Sequence, residues 1–376
     1  MKFNNKNILH YIYFAYLSGI LLTAVIIKVL FRIKNNNSLT MTGHYFNDNI
    51  QVLYQTLSKD KLWNPRYATF KLRQYLHLRK TVSVLYIGNP IHMFKALNCD
   101  ILLVGMGLHL HKWLKIFFLF KSIYINHGIF TGENYSKSSQ IKYSEYNEIW
   151  HFSEFEKSEF DKNILNKTTK AVVTGFPLTY YYKKEVKAKP IKQLKNCLVA
   201  FSNTNTENYH DKIFSINNLQ FLHKLEDLSI KNKILFTIKP HPSSKISTNS
   251  KKFILNSKYI NLYSDNSFDS LDSNFFSSSM LLTDISSFYV HYLLANKPIL
   301  FLSPENNILE NANKVLKNEF IDRIETYEGL EEKIKTAVKS NFLFTDSLYK
   351  LKAMIYKDLD VDKILDNCNA RLIANK

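Results

Sequence analysis

Apolar and polar positions fall into alternating blocks along this chain, and the blocks form two successive β/α series. In the first, Thr81 to Ile87 alternates as a half-buried strand does, and Ile101–Val104, Ser122–Ile125, Glu148–Phe152 and Ala171–Thr174 are short apolar runs of strand length. Helical spacing marks Asp48 to Ser58 (Ile50, Leu53, Tyr54, Leu57) and Leu110 to Phe120, and Ser153-Glu154-Phe155-Glu156 has the spacing of a capping box. The second series reads as strand Cys197–Phe201, helix Ile213–Leu228, strand Ile234–Ile238, strand Met280–Leu282, helix Phe288–Ala295 and strand Pro298–Leu302. Leu330–Val338 and Leu348–Ile364 are closing helices. Between the series, Lys183 to Lys195 is lysine-rich, contains Pro190 and lacks periodicity, as an interdomain linker would.

This order implies an α/β protein with two Rossmann-like domains facing across a cleft. The expected division is a first segment at 1–34, an N-terminal domain at 35–185 and a C-terminal domain at 190–376. Ile8 to Phe31 is almost wholly apolar, and its one fixed charge, Lys28, stands near an end where it can snorkel. A bilayer needs about 20 such residues. No small-residue cleavage site follows, so the segment reads as a retained N-terminal membrane helix. Lys28, Arg32 and Lys34 at its far end, against Lys2 and Lys6 before it, slightly favour a cytoplasmic location for the rest, at a bacterial inner membrane. Tyr11, Tyr13 and Tyr16 lower its hydrophobicity, which leaves a buried or interfacial helix of the first domain as the alternative. Asn35–Ser38 reads as a polar linker.

The formal charge of +18 comes from 50 basic and 32 acidic residues, and only six of the 50 are arginine. Lysine is a flexible point charge, so the excess suits phosphate-rich surfaces or polymers, or a solvated surface, and no nucleic-acid partner is expected. Cys99, Cys197 and Cys368 lie far apart and form no CxxC pair, which implies reduced thiols and neither disulfide nor zinc.

Candidate chemistry collects where strands end, because ligands of parallel sheets bind beyond the carboxyl edge. Thr283-Asp284-Ile285-Ser286-Ser287 joins a strand to a helix and offers hydroxyls and N–H groups to an anion, or else caps the helix. Asp284 would repel a phosphate, so it suits a ribose or a backbone group, and Ser286 and Ser287 are the better phosphate partners. Lys239-Pro240-His241-Pro242 ends another strand, and its two prolines stiffen a cationic pair fit for a diphosphate. His127 holds the matching position in the first series, beside Gly128, which has no side chain to block a ligand. Its imidazole can take a proton from an attacking hydroxyl. Gly105-Met106-Gly107 lacks the third glycine of a dinucleotide loop, and His109, His111, His223 and His291 show no metal-ligand spacing.

His-Gly at 127, Gly-Phe-Pro at 175, Lys-Pro-His-Pro at 239 and Thr-Asp-Ile-Ser-Ser through Asn-Lys-Pro at 283 to 298, in that order, resemble the CDP-glycerol glycerophosphotransferase family of teichoic acid and capsule synthesis. The resemblance begins near Gly43-His44-Tyr45-Phe46-Asn47-Asp48-Asn49. It implies a GT-B fold and transfer of a polyol phosphate from a CDP-activated donor, a substrate and not a cofactor, to a lipid-linked acceptor at the membrane, with release of CMP. Carried over by position, His127 and His241 are the catalytic candidates, with Gly128 on the acceptor side. Lys239, Thr283, Asp284, Ser286 and Ser287 make the donor side, and no metal or cofactor is implied. The chain departs from the pattern after His-Gly, where Ile129-Phe130-Thr131 stands. It departs again at Phe201-Ser202-Asn203-Thr204-Asn205, which lacks the family's arginine, and at Ser303-Pro304-Glu305-Asn306. These changes leave room for a GT-B glycosyltransferase with a nucleotide-sugar donor, or for a non-catalytic partner.

Overall fold

The computed structural model describes residues 8–30, 36–43, 46, 48–105, 118, 120–126, 143–144, 146–163, 169–188, 195–201, 213–241, 244–263, 278–284, 286, 288–302 and 320–376. In chain order the first half comprises α1 (Ile8–Leu30), β1 (Asn36–Thr42), α2 (Asp48–Leu57), β2 (Pro65–Thr69), α3 (Leu72–Leu78), β3 (Val84–Tyr86), α4 (Pro90–Leu97), β4 (Cys99–Val104), β5 (Lys121–Ile125), β6 (Glu148–His151), α5 (Glu154–Asn163) and β7 (Lys170–Val173). Helix α6 (Pro177–Ala188) runs well into the stretch expected to be a linker. The second half comprises β8 (Asn196–Ala200), α7 (Leu219–Asn232), β9 (Leu235–Lys239), α8 (Thr248–Asn256), β10 (Ile260–Leu262), β11 (Met280–Thr283), α9 (Phe288–Tyr292), β12 (Ile299–Leu302), β13 (Arg323–Ile324), α10 (Tyr327–Lys339), α11 (Asp346–Ile355) and α12 (Ile364–Asn375).

Seven strands pair in the order β3-β2-β1-β4-β5-β6-β7 and six in the order β10-β9-β8-β11-β12-β13. Each recorded pairing is parallel. The α/β expectation with parallel sheets therefore holds, and continuous apolar runs such as Ile-Leu-Leu-Val in β4 are what a sheet covered on both faces requires.

Two expectations need correction. Asn35–Ser38 is not a linker: Asn36–Thr42 is β1, paired with both β2 and β4. Its Ser38, Thr40 and Thr42 are buried, and small hydroxyl side chains fit beneath covering helices while Leu39 and Met41 enter the apolar core on the other face. The apolar segment of α1 does form a helix, but it lies along α4 as part of the first domain. Ile20 and Ala24 are buried with Met93, Ala96, Leu97 and Phe118. Tyr16 donates to Gly88 O at 2.9 Å, and Lys28 Nζ donates to Asn98 Oδ1 at 2.5 Å. Among the described residues no helix is long and apolar enough to cross a membrane. The hydrophobicity that resembled a span is used sideways, on one stripe against α4.

Boundaries shift where a turn intervenes. The helix expected from Ile213 starts at Leu219 behind an Asn218 cap, and the one expected over Leu348–Ile364 divides into α11 and α12. The helix expected at Leu110–Phe120 falls mostly outside the described residues.

Although α11 and α12 follow the second sheet in sequence, α12 packs on α2 and α6, and α11 on α5. Trp63 Nε1 donates to Asn369 Oδ1 at 2.8 Å. Arg371 Nε donates to Glu148 Oε2 at 2.9 Å, while a second guanidinium nitrogen pairs with the other carboxylate oxygen. Glu148 is only 3% exposed, so this fork is a charge-assisted, largely desolvated tie. One apolar cluster runs from Leu39 in the first sheet through Phe176 to Tyr289 and Leu372, which makes the halves a single packed body.

Candidate functional site

Cross-strand pairing places Lys239 opposite Ala200, Ala200 opposite Thr283, and Thr283 opposite Phe301, so the carboxyl ends of β9, β8, β11 and β12 lie on one line. Lys239 and Thr283 are two strand spacings apart, roughly 10 Å. Thr283 is fully buried, and its Oγ1 donates to Ala200 O at 2.6 Å, which pins the ends of β8 and β11 together. Asp284 Oδ1 accepts from Ser286 N at 2.9 Å, a side-chain turn that shapes the approach to α9. Lys239 Nζ sits 5.6 Å from the ring centroid of Phe288, the first residue of α9. His241 is half-buried just beyond, and burial, then the Lys239 ammonium, pull its imidazole pKa below the usual value. The structure thus gathers Lys239, His241, Thr283, Asp284 and Ser286 on one edge. Ser287 lies outside the described residues, as do His127 and Gly128.

The first sheet's edge is described up to Asn126, the residue before His127. Asn49, second in α2, donates from Nδ2 to Asn126 O at 2.6 Å and accepts at Oδ1 from Leu178 N at 3.0 Å. Next to it, Glu156 Oε2 accepts from Phe152 N at 2.6 Å, one residue before the cap position Ser153, whose buried Oγ has no hydrogen-bond partner among the described residues, so the expected capping box does not form. Gly-Phe-Pro at 175 is more than a turn. Gly175 has φ +76°, and a Cβ there would fall 2.5 Å from Ile364 Cγ1 in α12, so both backbone and space demand glycine. Phe176 is buried with its ring centroid 5.2 Å from that of Phe152, and Pro177 opens α6.

One turn into α6, Thr179 Oγ1 lies 3.2 Å from Nδ1 of His291 in α9. His291 is buried, and burial pushes its pKa down to about 4, so it is neutral at pH 7 and belongs to the core. The element that follows β7 therefore touches the helix that follows β11, and the two carboxyl edges are tied.

Asn296-Lys297-Pro298 stands apart from this edge. Lys297 Nζ donates to Ser278 O at 2.6 Å at the amino end of β11, and burial lowers its pKa to about 8. Asn296 takes the left-handed conformation (φ +51°) that ends the helical turn. This part of the motif serves the fold. Among the described residues no three His, Cys, Asp or Glu side chains form a group that could hold a metal ion.

The family model CDP-Glycerol:Poly(glycerophosphate) glycerophosphotransferase matches residues 124–341, more than half of the chain, from β5 to the end of α10. The chain belongs to this glycerophosphotransferase family. Its members are enzymes, and the span contains the carboxyl ends of β5, β6 and β7 and the whole of the second sheet. No curated protein matches the chain. Among solved structures, one of the wall teichoic acid polymerase TagF is similar with a TM-score of 0.64 at 11% identity, covering 98% of each chain. A TagF structure soaked with CDPG gives 0.62 at 12% identity, covering 96% of this chain and 95% of that one. A putative UDP-N-acetylglucosamine 2-epimerase from Listeria monocytogenes gives 0.60 at 10% identity, covering 90% and 96%. At such identity the likeness is one of fold, paired parallel α/β sheets of the GT-B kind.

In this glycerophosphotransferase, sequence reasoning found the strand-end residues and missed the ties between edges. Asn49 was quoted within the early Asp-Asn element without a role. Its only local signal is a polar residue at the start of a helix whose Ile50, Leu53 and Leu57 turn into the core.

Proposed function

We propose that the protein transfers a polyol phosphate, glycerol phosphate first among the candidates, from a CDP-activated donor to a lipid-linked precursor of a cell-surface polymer. The acceptor hydroxyl attacks the phosphorus that bears the polyol. A new P–O bond forms there, the P–O bond to CMP breaks, and the hydroxyl proton passes to His127. Lys239 and His241 meet the donor diphosphate as charge moves onto departing CMP, with Ser286 and Ser287 offering donors and Asp284 shaping their turn.

The observation that carries this reading is the line of strand ends at Ala200, Lys239 and Thr283, inside the span matched by the family, with His241 and the turn before α9 on the same edge. The CDPG soaked into a TagF of similar fold supports a CDP-linked donor. A lipid-linked acceptor places the protein at the cytoplasmic face of a bacterial membrane. Surface contact there is supported by the outer side of the α1–α4 pair, where Leu22, Ile26 and Ile91 are 61%, 46% and 65% exposed near the exposed Lys95.

Purified protein offered a lipid-linked acceptor with CDP-glycerol, or with nucleotide sugars, tests the reading. CMP release that needs both CDP-glycerol and acceptor, with a product heavier by one glycerol phosphate in mass spectrometry, is the expected result. Turnover with a nucleotide sugar alone would replace it with the glycosyltransferase alternative.

A further inference from the structure

We propose that Asn49 is a positioning residue for the transfer step, holding the end of β5 at Asn126, the residue before the proposed base in sequence, against the start of α6. This rests on the transferase reading above.

Asn49 is 2% exposed, and both ends of its carboxamide are engaged. Nδ2 donates at 2.6 Å to Asn126 O, 77 residues later, and Oδ1 accepts at 3.0 Å from Leu178 N, 129 residues later. The partners fix which way the amide points, because a carbonyl only accepts and a backbone N–H only donates. Leu178 is the second residue of α6, where N–H groups lack intrahelical partners, so Asn49 caps that helix from another element. Asn126 lies past the last residue of β5. Restraining its carbonyl restrains the carboxyl end of β5. Helix α6 in turn holds Thr179 against His291 in α9, the helix behind the donor-edge turn.

Glutamine has the same donor and acceptor but is one methylene longer, which displaces both from their partners. Aspartate accepts from Leu178 N but, when ionised, cannot donate to Asn126 O. Leucine keeps the volume and loses both bonds, and alanine loses all three features. A carbonyl facing a carboxylate is repulsive, whereas a protonated carboxyl group restores one donor and one acceptor.

The test combines steady-state CMP release with hydrogen–deuterium exchange of peptides covering 120–128 and 176–182 in the full-length protein and its N49A, N49L and N49D variants. With N49A and N49L, kcat should fall about 100-fold, the scale of an ångström-sized misplacement, while the donor KM stays within about threefold. Exchange in both peptides should rise. With N49D, the 176–182 peptide should keep its protection, and kcat relative to wild type should recover at least about tenfold from pH 8 to pH 5 as the carboxyl group protonates. A donor KM that rises as much as kcat falls, or an N49D deficit that does not change with pH, would overturn the positioning role. Unchanged exchange in N49L would show that the bonds hold nothing. A wild-type protein inactive on every donor would remove the transferase reading and the role in transfer with it, while the exchange contrast would still decide whether Asn49 ties strand to helix.

Discussion

The two carboxyl edges are built in opposite ways. The second sheet's edge is largely self-made: Thr283 bonds to Ala200 on the neighbouring strand, Asp284 bonds two residues ahead to Ser286, and Lys239 reaches the helix that this turn begins. The first sheet's edge is held by distant parts of the chain, through Asn49 and the joint at Gly175, and it is connected to its opposite by Thr179 and His291. A locally specified edge depends on few residues outside its own strands and turns. An edge assembled from remote side chains is aimed by the tertiary structure as a whole, and small changes far away can move it.

The sharpest way to break this comparison is at its ends. His127→Ala should lower turnover by about 10²–10⁴-fold with the donor KM little changed, since general-base catalysis contributes on that scale. Normal CMP release by the variant would remove the base from the first edge.

The tie comes next. His291 titrates near the usual 6.5 when unfolded and near 4 when folded, so between those values the unfolded chain binds more protons and stability falls as the pH falls. The loss should approach roughly 3 kcal/mol below pH 4. Urea unfolding across pH 7 to 4 would show it, and a His291→Asn variant should lack that part of the slope.

Gly175→Ala should cost about 2–3 kcal/mol through backbone strain and the encounter with Ile364, measured as a shift in urea midpoint at constant slope. Thr283→Val, at the self-made edge, should cost only about 1 kcal/mol, one hydrogen bond, and leave the donor KM within a few-fold. A much larger rise in KM would show that the Thr283 hydroxyl serves the ligand as well as Ala200.

Legibility in the sequence follows the same division. Strands β9, β11 and β12 lie within a residue or so of the expected runs, because β11 and β12 are unbroken apolar blocks and β9 is a short apolar run that buries Phe236 and Ile238 on one face. Lys239, His241 and Asp284 were legible because each stands within two residues of such a block. Strand β1 was not, since Asn-Asn-Ser-Leu-Thr-Met-Thr puts small hydroxyl groups where the eye expects apolar ones. The short helices α3 and α4, at seven and eight residues, are below the length at which periodicity speaks. Asn49 could not be read at all as a tie, because its partners are 77 and 129 residues away and no local pattern announces them.

The fork between Arg371 and Glu148 bears on how the molecule comes into being. A chain leaving the ribosome lays down the seven-stranded half first, yet Glu148 must wait 223 residues for the guanidinium that satisfies it. Until α12 is synthesised, a carboxylate destined for the interior lacks its charged partner, with Trp150 Nε1 donating to it at 3.3 Å, and the apolar surface around it stays wet. The half made first is thus finished last, and nascent protein should gain resistance to proteases in one late step.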